Sequence, residues 1–150
     1  MTAKDAAKHT LDQFEAELRD LSRWMYHHPE TAFEESETSA KLAGYLASHG
    51  FEVEYPAYGL ETAFAARVGS AGPEVVVCAE LDALPEVGHA CGHNIIAAAA
   101  IGAGLAIAPL VDDLGIQVTV LGTPAEEAYG GKVDLIHAGA FEDVAAAMMV

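Results

Sequence analysis

Cations are scarce in this 150-residue chain: 7 Lys plus Arg stand against 23 Asp plus Glu, for a formal charge of −16. Phosphate binding needs clustered Lys and Arg, so this balance excludes nucleic acid and anionic membrane as partners. Acidity by itself speaks for solubility and for no particular activity. Cysteine is scarce as well. Cys78 and Cys91 are the only two, too few for the disulfide framework of a small secreted scaffold. The opening MTAKDAAKHT lacks the apolar core of a signal peptide. The longest uncharged run, Ile95 to Val111, is rich in Ala and Gly and contains Pro109. It falls short of the about 20 strongly apolar residues that a bilayer asks for, and it reads as a buried helix. The expected compartment is the cytoplasm, with reduced thiols. No internal repeat, low-complexity linker or second-domain boundary is visible.

What is present is apolar. The hydrophobic fraction of 52% excludes disorder, and 150 residues can bury a core of their own. Leu11, Phe14, Leu18, Leu21, Trp24 and Met25 recur at helical spacing. That helix should stop near His27–His28, because Pro29 disfavours helix before it. A second helix is expected over 36–49, with Gly50 as its left-handed terminator. Phe51 to Tyr55 alternates like a half-buried strand. Thr62 to Val68 and Val75 to Ala79 read as strands, the latter covered on both faces because VVVCA is apolar throughout. A helix over 94–108, a strand over 115–121, a short helix over 131–137 and a strand over 144–150 complete the series. This alternation predicts a three-layer α/β fold around a largely parallel sheet. The final VAAAMMV stops inside an apolar run, which reads as the front part of a longer protein.

Three polar clusters follow core strands. VVVCAELDALP leads into Glu80 and Asp82, GHACGHN precedes the Ala-rich helix, and VTVLGTPAEEAYGG leads into Glu126 and Glu127. Ligands of open α/β sheets bind at the carboxyl ends of the strands. A thiolate and an imidazole two residues apart, Cys91 and His93, suit a borderline-soft divalent ion. Asp82 and Glu127 could complete or orient the shell. Glu126 could stay unligated and take a proton from water. Gly130 and Gly131 would let backbone approach a substrate. Blander roles compete: Cys78 as core, Glu126–Glu127 as a solvated pair, and His27 and His28 beside a helix dipole. His9, His49 and His137 read as surface or core, and His89 as a supporting partner or a turn residue. A cysteine hydrolase with Cys91 as nucleophile, and a metal-binding module without catalysis, also remain open.

Four stretches in order, RWMYHHPETAFEE, AELDALPEVGHACGHN, GTPAEEAYGG and LIHAGAFEDV, resemble the N-terminal part of the M20 metallopeptidases. The likeness is to their amidohydrolase branch, and within it to the aminobenzoyl-glutamate hydrolase and dipeptidase-like sub-branch. The resemblance implies a zinc-peptidase-type catalytic domain of which residues 1–150 are the first part. The lid or dimerisation domain and distal histidine ligands of such proteins would lie outside it. It implies hydrolysis of amide bonds in small carboxylate-bearing molecules: N-acyl amino acids, aminobenzoyl-glutamate or dipeptides. It further implies two divalent ions, Zn²⁺ or Mn²⁺, and a full-length protein that forms homo-oligomers. By matched motif, Cys91, His93 and Glu127 would be ligands, Glu126 the general base and Asp82 the residue orienting the metal site. Glu80 stands where peptidase members place a ligand histidine.

Overall fold

A computed structural model describes residues 1–150. Helix α1 (Ala3–His27) begins at a reciprocal cap, in which Thr2 Oγ1 accepts the Asp5 N–H and the Asp5 carboxylate accepts the Thr2 N–H. It ends where Pro29 demands. Its buried stripe is Leu18, Leu21 and Met25, while Phe14 and Trp24 are half-buried and Leu11 is exposed. Helix α2 (Ser36–Ser48) and strands β1 (Glu52–Glu54), β2 (Phe64–Val68) and β3 (Glu74–Glu80) follow. Helix α3 (His93–Ile107) runs through a 3-10 turn into the short α4 (Val111–Leu114). The chain then forms β4 (Gln117–Thr123), α5 (Glu126–Tyr129), α6 (Gly131–His137) and β5 (Val144–Met148).

The five strands lie in the order β1–β2–β4–β3–β5. The sheet is mixed: β4, β3 and β5 are mutually parallel, and β2 runs antiparallel to β4 and to β1. The link between β2 and β3 explains the reversal. Only residues 69–73 join them, and a parallel return needs a crossover of about a dozen residues or more. The link also passes over the start of β4, which lies between the two strands. Gly72 permits the crossing, because a Cβ there would collide with the Gly115 carbonyl.

Strand alternation divides the core into two. Phe64, Ala66, Ala79 and Val120 pack with Leu18, Met25, Leu42, Leu46 and Ile101 beneath α1, α2 and α3. Ala65, Val76, Cys78 and Leu121 pack with Leu135 of α6 and with Ala140 on the opposite face. Cys78 is therefore core, and the three-layer expectation holds. An 18-residue window within His93–Leu114 is apolar enough to cross a membrane by length and composition. In the fold His93–Leu114 packs on α1, β3 and β4, and half of its residues are buried.

Strand β5 pairs with β3 on one side only, and every residue from Ala145 onward is exposed, Met148, Met149 and Val150 included. A bare apolar edge invites pairing with another chain. The purified chain should therefore associate at micromolar concentration, and Ala147→Lys should shift it toward monomer in light scattering. A wild-type chain that stays monomeric throughout the range would show that this edge is protected.

Candidate active site

The parallel pairing of β3 with β4 brings Glu80 level with Thr123, so the two strands deliver their loops side by side. Asp82 is 1% exposed and joins these loops to each other and to α3. Its Oδ2 accepts the Glu127 N–H at 3.0 Å. Its carbonyl lies 2.7 Å from His93 Nδ1. A carbonyl can only accept, so Nδ1 carries the proton and Nε2 is the ring's other face. That Nε2 lies 3.1 Å from Glu80 Oε2 and 3.4 Å from Glu127 Oε1. Burial opposes charge on His93, but its hydrogen bonds to the Asp82 carboxylate and carbonyl, with the Glu80 charge, raise its pKa above the ordinary value. Burial likewise opposes ionisation of Asp82, and its bonds to His93 and to the Glu127 and Glu126 amides hold its pKa below the ordinary one.

Lys132, in the first turn of α6, donates to Glu80 and to Glu126 Oε2, the latter at 2.8 Å. These bonds outweigh burial and raise its pKa. Gly131 has a packing reason of its own. A Cβ there would strike the Pro124 carbonyl, so its absence lets α6 lie against the turn that carries Glu126. Gly130 adopts a left-handed conformation between α5 and α6. Both glycines thus serve the backbone path that brings Lys132 in.

Cys91 sits exposed on the loop before α3. The Glu127 carboxylate beside it, with the charges of Asp82 and Glu80, pushes its thiol above the ordinary pKa. In that setting it is a poor free nucleophile, since the thiolate is the reactive form. His89 is buried with neither ring nitrogen bonded, and burial, then the nearby His93, lowers its pKa. Asn94 anchors α3 on α1 through bonds to Ser22. His28 stacks on Trp24 with its Nδ1 on the Trp24 carbonyl, at the end of α1 where a dipole role was expected. Sequence reasoning missed Lys132, whose only signal was a rare cation immediately after Gly130–Gly131.

The donor chemistry suits a divalent cation. A ring nitrogen facing two carboxylates in a buried corner calls for positive charge between them, and the Asp82 carboxylate lies beside the same ring, with Oδ1 3.2 Å from His93 Nδ1. The shell is open, however: no three of these side chains converge on one point at ligand distance.

Fold and site define a peptidase-type α/β domain. No protein-family model matches the chain. It is 40% identical over 160 residues to the mouse Xaa-Arg dipeptidase, covering 94% of this chain and 36% of that protein. It is 34% identical over 148 residues to a p-aminobenzoyl-glutamate hydrolase chain of Escherichia coli, covering 86% and 31%. A Bacillus subtilis structure described as a dinuclear metal binding peptidase from the M20 family superposes with a TM-score of 0.81 at 28% identity, covering 91% of this chain and 42% of that one. The chain belongs to the M20 family and corresponds to the N-terminal part of its members. It spans about a third of the length of these curated relatives.

The raised pKa of His93 makes a stability prediction for the metal-free chain. The protonated ring is favoured by folding, so its contribution is complete below the ordinary value of about 6.5 and is lost as pH rises through the folded value. Urea melts at pH 6 and pH 8 should show a larger gap between wild type and His93→Gln at pH 6. Equal gaps at both pH values would mean that the ring is neutral in the fold.

Proposed function

We propose that this chain carries the first part of a metal-dependent amidohydrolase site acting on small carboxylate-bearing amides: N-acyl amino acids, aminobenzoyl-glutamate or dipeptides. The observation that carries the reading is Asp82, which holds His93 and the Glu127 loop against each other in one buried corner. Cys91, His93 and Glu127 are the residues that would hold the cation. The thiol favours zinc over manganese. The bound ion would supply Lewis acidity and lower the pKa of water.

The chain's own residues then divide the work. Lys132 engages Glu126 Oε2, which leaves Oε1 free to take a proton from the attacking water. The water oxygen bonds to the amide carbon, the C–N bond breaks, and Glu126 returns the proton to the leaving nitrogen. Asp82 fixes the orientation of His93 throughout. Substrate, turnover and assembly are proposed for the whole protein, in the company of relatives named as a dipeptidase, a hydrolase and, in Bacillus subtilis, an N-acetyl-L-cysteine deacetylase.

Zinc titration by calorimetry tests the assignment. Wild type and Cys78→Ala should bind alike, whereas Cys91→Ser, His93→Ala and Glu127→Gln should each lose about 10-fold or more in affinity. Glu126→Gln should retain zinc. In a setting that turns over substrate, it should cost on the order of 10²–10⁴ in rate. Equal zinc loss in all variants, Cys78→Ala included, would reduce the effect to general unfolding. Zinc binding with no hydrolysis of any amide would favour a non-catalytic metal-binding module.

A further inference from the structure

The stretch HHPETAFEE carries part of the family resemblance, yet none of its side chains belongs to the site described above. Glu35 is wholly buried, at the residue preceding α2. Its side chain does not cap the helix it precedes. The free amides of α2 are served by Glu30 instead, which accepts the N–H groups of Glu37 at 3.0 Å and Thr38 at 2.7 Å. The Glu35 Oε1 atom accepts the N–H of Ala125 at 2.9 Å, across 90 residues of sequence.

Ala125 is the residue before Glu126. It is buried and left-handed, with φ 58 and ψ 38. Alanine holds that conformation only where its surroundings impose it. The backbone of the same stretch reaches the other loop, because the Glu30 carbonyl accepts the Ala83 N–H at 2.7 Å, next to Asp82. A buried carboxylate is costly to keep where an apolar side chain would fill the space. Burial raises the pKa of Glu35 against the lowering effect of its hydrogen bonds, so an uncharged amide is a fair substitute.

We infer that Glu35 is a positioning residue: it sets the Ala125 turn and thereby aims Glu126 and Glu127. The inference rests on the roles proposed above for those two acids. The Glu126 carboxylate then has two constraints, the backbone turn fixed by Glu35 and the side-chain bond from Lys132.

The test uses the 150-residue chain with two variants, Glu35→Gln and Glu35→Met, and two readouts. These are hydrogen exchange at the Ala125 amide, referred to Val120 and Leu121 in β4, and zinc affinity by calorimetry. Glu35→Met should lower Ala125 protection by about tenfold or more while β4 stays protected. It should weaken zinc by roughly 10–100-fold. Glu35→Gln should restore both. Unchanged Ala125 protection in Glu35→Met overturns the inference. Loss spread through β4 overturns it too, in favour of a general core role, and so does failure of Glu35→Gln to rescue. Normal zinc affinity despite a loosened Ala125 would show that the turn does not aim Glu127. If wild type binds no zinc, the ligand reading fails, and the amide measurement still decides whether Glu35 holds the turn.

Discussion

Asp82 is the constraint on which the rest of the site depends. It leaves β3 at the point where the sheet ends, and it is almost wholly removed from solvent. One oxygen is spent on the Glu127 amide and the carbonyl on His93. A buried carboxylate survives only where its charge is answered, and here the answers come from the loop after β4 and the first residue of α3. Removing it would uncouple three chain segments at once. The same reasoning explains why acids crowd here in a chain already rich in them. Glu80, Asp82, Glu126 and Glu127 gather around His93 and Lys132, two of the few cationic or protonatable groups available.

Much of the scaffold was legible in the sequence because local signals sufficed. Helix α6 occupies the expected 131–137, and α1 stops where Pro29 requires. Strand boundaries moved by a few residues: β1 shrank to Glu52–Glu54, and β4 shifted to Gln117–Thr123. Boundaries of that kind depend on which partner strand is present, and periodicity does not report it. The mixed sheet was not legible from alternation alone, although the shortness of residues 69–73 carried the needed information.

The site divides in the same way. Glu126, Glu127, Cys91 and His93 stand out as close neighbours along the chain, and the fold places them around one corner. Two sequence neighbours nevertheless differ sharply, since Cys91 is exposed and His93 is 4% exposed. Helix α3 begins between them, and its first residue turns inward. Lys132 and Glu35 were invisible as functional residues. Each acts on a partner distant in sequence, Glu80 for the one and Ala125 for the other, and no spacing rule links such pairs.

The overpass at residues 69–73 has a consequence for the order in which the chain assembles. Strand β4 occupies the slot between β2 and β3, yet it is made after both, and Ala66 meets Val120 across about fifty intervening residues. During synthesis β2 and β3 are both complete before the strand that separates them is made. Neither can form its ladder with β4 until residues 117–123 exist. The centre of the sheet thus follows both of its neighbours in the chain, and only the edge strand β5 comes after it. The helical layer of α1, α2 and α3, all made before β4, packs on the sheet face that carries Phe64, Ala66 and Ala79.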